Sequence, residues 1–220
     1  MKEGWGILFS FVYVALVLSA AKQAEARGWI SSYAVRKWIH LLVGSWILPT
    51  FFLFEHWYSA ILPPFCFIWV NLYLERKRFF SFEARDQGFG AVYVPISFVL
   101  LLTLFWEDPF RAYASIGALS MAWGDAAAAL IGKKWGRHTY TLGRTQKSLE
   151  GALAMWGGAA AGCIVSFLLF RPLPFRELVI QSAILASVAA LLESFAGRGL
   201  DNLTVPLGSA WAGVLLFVRM

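Results

Sequence analysis

Charged residues are scarce in this chain. Only 15% of its 220 residues are Asp, Glu, Lys or Arg, against 59% hydrophobic, whereas a soluble domain carries about a quarter charged residues. So few charges cannot cover a water-facing globule, and a soluble domain is excluded. Cysteine is limited to Cys66 and Cys163. Both lie in apolar runs far apart, which excludes a disulfide framework or a metal knuckle and leaves them as small packing residues. Strand–helix alternation is missing, which excludes a soluble nucleotide-binding sheet. So is a P-loop: Lys133 follows Gly132, but position 127 is alanine and Lys134 stands where Ser or Thr is required. No internal repeat is evident, which argues against a transporter. The net charge of +6 sits between hydrophobic runs, a pattern of membrane orientation and phosphate binding rather than of nucleic-acid contact.

What is present is a series of apolar runs near the length of a membrane span, roughly 17–25 residues. Eight are read: Trp5–Ala21, Ile39–Phe54, Trp57–Leu74, Phe89–Trp106, Tyr113–Ile131, Leu149–Phe170, Leu178–Ala196 and Leu203–Val218. The predicted fold is all-α, a polytopic transmembrane helical bundle of seven or eight spans forming one domain over 1–220. Only Glu55 and His56 separate the second and third spans, which predicts a tight hairpin. Lys2 before an apolar run followed by small residues has the look of a signal peptide. A cleaved signal would leave Arg27, Arg36 and Lys37 outside, so the run is read as a span.

Basic residues decide the orientation. The first connection holds Lys22, Arg27, Arg36 and Lys37, and the third Arg76, Lys77, Arg78 and Arg85. The fifth holds Lys133, Lys134, Arg137, Arg144 and Lys147, and the seventh Arg198. These odd connections are expected to face the cytoplasm, with both termini outside.

In the first connection Ser31 or Ser32 can cap a helix. On that helix Arg36, Lys37 and His40 share a face. A basic membrane anchor with Trp38 at the headgroups explains the cations, but not a histidine in the first turn of the next span. Gly88, Gly90 and Pro95 open the fourth span; such residues allow close backbone approach, although they are also common in membrane helices generally.

The chemistry concentrates around the fifth connection. Asp125 lies inside an apolar helix, where an ionisable group is costly and usually functional. Gly124 and the four alanines after Asp125 keep that helix thin, so a neighbour can approach. From Ala126 to Leu149 there is no acidic residue, while Lys133, Lys134, Arg137, Arg144 and Lys147 offer charge to phosphate oxygens. Glu150 then opens the next helix, an ordinary place for a carboxylate and also a place from which to hold a metal. Glu193 sits near the cytoplasmic end of its span. Asp201 and Asn202 lie in a glycine-flanked turn, where Asx residues also serve as turn formers. Asp125, Glu150, Glu193 and Asp201 all map to one membrane face. Oxygen ligands of this kind suit Mg²⁺ bridged to substrate phosphates.

Together these residues resemble the polyprenol kinase family, which includes dolichol, phytol and farnesol kinases and the CTP-dependent diacylglycerol kinase of yeast. The resemblance rests on Gly124-Asp125 with Gly132-Lys133-Lys134 and Gly136-Arg137, and on Lys147-Ser148-Leu149-Glu150-Gly151. Glu193 followed by Gly199-Leu200-Asp201-Asn202 through Pro206 completes it. Arg36-Lys37 with His40, and Gly90 through Pro95, look like its upstream motifs. The chain is similar to the compact phytol-kinase-like members, without the large extra membrane region of dolichol kinases. The resemblance implies transfer of the γ-phosphate of CTP to a lipid alcohol (phytol, farnesol, a polyprenol or diacylglycerol) with Mg²⁺ or another divalent cation.

On that reading Lys133, Lys134, Arg137, Lys147, Arg36, Lys37 and Asn202 bind the nucleotide phosphates. Asp125, Glu150, Glu193 and Asp201 are metal ligands, and Asp125, Asp201 and His40 are catalytic, with Asp201 or His40 taking the hydroxyl proton. Two alternatives stand. One is a phosphatidate cytidylyltransferase releasing pyrophosphate, although that group ends in a different signature. The other is an ion-coupled transporter using Asp125 and Glu193, which leaves the acid-free basic loop unexplained.

Overall fold

The computed structural model describes residues 2–76, 89–142, 145–197 and 199–218. In chain order the elements are α1 (Lys2–Ala26), α2 (Ser32–Gly44), α3 (Ile47–Leu53), α4 (Trp57–Ala60), α5 (Leu62–Arg76), α6 (Gly90–Leu104) and α7 (Arg111–Trp135). A two-stranded hairpin follows, β1 (Thr139–Leu142) and β2 (Thr145–Ser148), then α8 (Leu149–Phe170), α9 (Phe175–Phe195) and α10 (Asp201–Phe217).

The protein is a multi-pass, all-α bundle. By length and composition α1, Trp57–Arg76, α7, α8 and α9 are fit to cross a membrane, and α6 is a shorter apolar helix. The eight-span reading differs from this at three runs, of which Phe89–Trp106 is the short α6. The run Ile39–Phe54 is broken: α2 ends at Gly44, Ser45 donates from its backbone to Leu41 and Leu42 carbonyls, and α3 restarts at Ile47. The last run folds as α10, 17 residues long, about 25 Å at 1.5 Å per residue. The tight turn between the second and third runs stands as read, at Phe54 to His56.

α7 is the axis. From Ala112 to Ala122 every residue is buried. A lipid-facing helix needs no such sequence; a helix surrounded by others needs small residues wherever a neighbour crosses. A Cβ on Gly158 of α8 would lie 2.6 Å from the Trp123 carbonyl oxygen, and one on Gly162 would lie 2.8 Å from Leu119 Cβ. Hence α8 packs against α7 nearly backbone to backbone. Cys163, beside Ser120 at 3.8 Å, is buried there as read, but Cys66 is exposed on the outer surface and is not a packing residue.

The connections divide between two ends. At one end lie the α1–α2 turn, the β hairpin and the α9–α10 turn, with the starts of α6, α8 and α10. At the other end Glu3 accepts from His56 Nδ1 at 3.0 Å and from the Glu55 and His56 backbone, tying α1 to the α3–α4 turn. Arg171 donates to the Tyr113 hydroxyl there. The odd connections of the sequence thus share one end, except that residues 77–88 and Arg144 and Arg198 lie outside the described residues.

Candidate active site

α2 begins as the sequence predicts, with Ser31 as N-cap accepting from the Ala34 N–H at 3.4 Å. The helix runs alongside α7, and its polar face meets Asp125. Lys37 Nζ donates to Asp125 Oδ2 at 2.6 Å, and His40 Nε2 lies 3.6 Å from the same oxygen. Asp125 sits ten residues before the end of α7, and the Lys37 and Asp125 side chains are only 13% and 15% exposed. An ion pair this far from water is retained at a desolvation cost. Arg36 adds its positive charge to the field at Asp125.

A second lysine–carboxylate pair is built from the hairpin. Lys147 Nζ donates to Glu193 Oε1 at 2.8 Å and also to the Glu193 carbonyl oxygen, so β2 is clasped to the end of α9. β1 and β2 pair antiparallel, with Thr139 opposite Ser148 and Tyr140 opposite Lys147. Sequence reading treated this stretch as a basic loop; Lys133 and Lys134 are instead in the last turn of α7, and a hairpin carries Lys147. Strand pairing here needs no long apolar signal, because four residues on each strand close locally between two helix ends. Ser148 then caps α8 by accepting from Gly151 N–H at 3.1 Å.

Asp201 opens α10. It lies within electrostatic reach of Asp125, Lys37 and Glu193. Its Oδ1 is buried with no hydrogen-bond partner among the described residues, an arrangement that a folded protein seldom leaves without a role. Asn202 Nδ2 donates to the Gly90 carbonyl at 3.1 Å. A Cβ on Gly90 would come within 3.0 Å of that nitrogen and 3.3 Å of Gly199 Cα. The glycine at the start of α6 therefore serves close approach to the α9–α10 turn, not merely a membrane-helix composition. Asn202 thus ties the start of α10 to the start of α6 through its amide nitrogen, while its Oδ1 is buried with no partner among the described residues.

The remaining residues are placed as follows. Lys133 Nζ lies 4.0 Å from the centroid of the Tyr33 ring and Lys134 Nζ 4.6 Å from that of Trp135; both, like Arg137, are exposed. Glu150 accepts from His138, at 2.7 Å from Nδ1 and 3.3 Å from the backbone N–H. The structure therefore brings Asp125, Asp201, Glu193, Lys37, His40 and Lys147 together and gives Glu150 to His138. Sequence reasoning missed His138. The signal was there: a histidine in the middle of the acid-free stretch, twelve residues before the carboxylate that closes it. Glu150→Gln is expected to loosen the hairpin and raise the nucleotide KM about three- to tenfold, the worth of a charge-assisted bond. Titration of initial rates against nucleotide checks this, with kcat little changed.

The carboxylates form an oxygen-only donor set, suited to a hard divalent cation that takes its other ligands from phosphate and water. Lys37 and Lys147 already place a positive charge on two of them. Among the described residues the three-ligand cluster with atoms within 4.8 Å of one another is elsewhere: Glu3, Glu55 and His56, at the opposite end of the bundle. Asp125, Asp201 and Glu193 are more widely set, which fits a cation held by one or two carboxylates and substrate oxygens rather than by a protein cage.

Comparison with known proteins returns a phytol kinase from Synechocystis, 34% identical over 217 residues, covering 94% of this chain and 90% of that protein. A second relative is the CTP-dependent diacylglycerol kinase 1 of Schizosaccharomyces pombe, 32% identical over 130 residues, or 55% of this chain and 57% of that protein. No protein-family model matches the chain. No solved structure matches it either.

Proposed function

Since the chain belongs to the polyprenol and phytol kinase family, we propose that its Asp125–Asp201–Glu193 site transfers the γ-phosphoryl group of CTP to a lipid alcohol. The observation that carries this reading is the pair of lysine–carboxylate contacts, Lys37 to Asp125 and Lys147 to Glu193, beside the buried Asp201 Oδ1, which has no partner among the described residues. Phosphoryl transfer asks a protein mainly for positioning and charge neutralisation. Cations that can exchange a carboxylate for a phosphate oxygen supply both.

The residues divide by what they touch. Lys147 on its hairpin, Lys37 and Arg36 on α2, and the exposed Lys133, Lys134 and Arg137 receive the phosphates. Asp125 and Glu193 would hold Mg²⁺, with the Asp201 charge next to them, and the metal, when bound, would supply neutralisation of negative charge on the phosphate oxygens. The alcohol oxygen forms a bond to the γ-phosphorus, the bond from that phosphorus to the β–γ bridging oxygen breaks, and CDP departs. The hydroxyl proton passes to Asp201 Oδ1, and His40 orients Asp125 from the other side. Glu150 acts at a distance, by fixing the hairpin. The catalytic end faces the cytoplasm and the N-terminus lies outside, as the distribution of basic residues supports.

A product assay tests the reading: purified protein in detergent, Mg²⁺, CTP labelled at the γ-phosphate, and a panel of lipid alcohols plus phosphatidate. Label is expected in a lipid monophosphate, with CDP formed. Label released as pyrophosphate in the presence of phosphatidate would replace the kinase by a cytidylyltransferase. No transfer to any acceptor would overturn the proposal.

A further inference from the structure

α8 and α9 are joined at the far end of the bundle by a short turn, Arg171 to Pro174. Toward the catalytic end a groove of about 510 Å³ lies between them. One wall is Leu149, Ala152, Leu153 and Trp156, the other Ser187, Ala190, Leu191 and Ser194. Both sets have the spacing i, i+3, i+4, i+7, so each helix presents one continuous stripe to the groove. The stripes begin beside functional residues. Leu149 follows the β2 strand that carries Lys147, and Ser194 follows Glu193, so the Lys147–Glu193 contact lies next to this end of the groove, outside its lining. At the inner end Trp156 Nε1 donates to Ser187 Oγ at 3.1 Å, bridging the two walls.

A purely lipid-facing helix pair has no need of such a feature, because bilayer chains contact any apolar surface equally well. A groove with apolar walls that starts beside the Lys147–Glu193 pair and ends at the Trp156–Ser187 bridge suits a molecule with a polar head and a hydrocarbon chain. Resting on the kinase reading above, we infer that the α8–α9 groove holds the head-proximal chain of the lipid alcohol, with its hydroxyl directed to the Lys147–Glu193 pair. From Leu149 to Trp156 the groove runs about 10 Å by the helical rise, a span of about eight extended carbons. Beyond the Trp156–Ser187 bridge the chain leaves the protein for the bilayer. Chain length therefore matters up to about this point and little after it.

The test is steady-state kinetics with Ala190→Phe and Ala152→Phe, which place bulk in the groove from opposite walls, neither being assigned to phosphate or metal. Displacing about two methylenes from contact is expected to raise the KM for the lipid alcohol about tenfold, with the KM for CTP unchanged. In the wild type, KM is expected to fall with chain length to about eight to ten carbons and then level. An unchanged lipid KM in both variants, with CTP turnover intact, overturns the groove while leaving the kinase standing. Wild-type protein that phosphorylates no alcohol overturns the kinase reading itself.

Photolabelling of the wild type covers variants that fail to fold. A lipid alcohol with a diazirine in its first eight carbons is expected to mark the peptides bearing Leu149 to Trp156 or Ser187 to Ser194. Label elsewhere, or label there that excess unlabelled alcohol fails to compete away, would assign the groove to ordinary bilayer lipid and sink the inference.

Discussion

Asp125→Asn is expected to abolish turnover, by about a thousandfold or more, while the protein still folds. The substitution keeps the shape of the side chain and removes its charge, and with it the counter-charge of Lys37 and the proposed metal ligand. It also has a structural effect that must be separated from the catalytic one. Lys37 is 13% exposed and its ammonium is held at 2.6 Å by Asp125, so the variant leaves a nearly buried cation without its counter-charge. That is expected to cost about 1–3 kcal/mol of stability, less than a fully buried pair because some solvent reaches the site. Adding Lys37→Met removes the orphaned charge. The double variant should regain thermal stability in detergent and remain inactive. Activity in a folded Asp125→Asn protein would take the aspartate out of the chemistry.

Asp201→Asn is expected to be equally inactive with the opposite effect on stability. Asp201 lies within reach of the negative charges of Asp125 and Glu193, with Lys37 the opposing cation and the Asn202 backbone N–H a donor to it, and its buried Oδ1 has no partner among the described residues. Removing that charge relieves repulsion and desolvation together, so the variant should melt a few degrees higher than wild type. Loss of turnover with gain of stability is the signature of a group kept for function. A destabilised Asp201→Asn protein would instead make the carboxylate a structural member of the α9–α10 turn.

The two aspartates show how far the sequence reaches into this site. A lone carboxylate in an apolar run is conspicuous in one dimension because no lipid-facing surface tolerates it. Asp125 and Glu193 were legible for that reason, and Lys147 because it closes a long stretch without acids. Glu150 stood out equally, yet its carboxylate is turned to His138. Its place in the first turn of α8 fixes its depth in the membrane but not its direction. The break between α2 and α3 was illegible too. Ile39 to Phe54 is mostly apolar, and average hydropathy hides the hydroxyls of Ser45 and Thr50, which bond to the Leu41 and Trp46 carbonyls.

By itself the sequence determined that this is a helical membrane protein, that its cations gather at one end, and that carboxylates and lysines are set there together. Those properties follow from composition and depth, which each residue carries alone. Only the tertiary structure decided that Lys37 meets Asp125 across 88 positions of chain, that Lys147 reaches Glu193 from a hairpin, and that α8 and α9 leave a groove beside them. Hydrophobic pattern says how deep a side chain lies, but lipid and helix are equally apolar, so it does not say which helix is the neighbour. That choice is made where glycines and alanines let backbones close on α7, and the charged groups pair only after it is made.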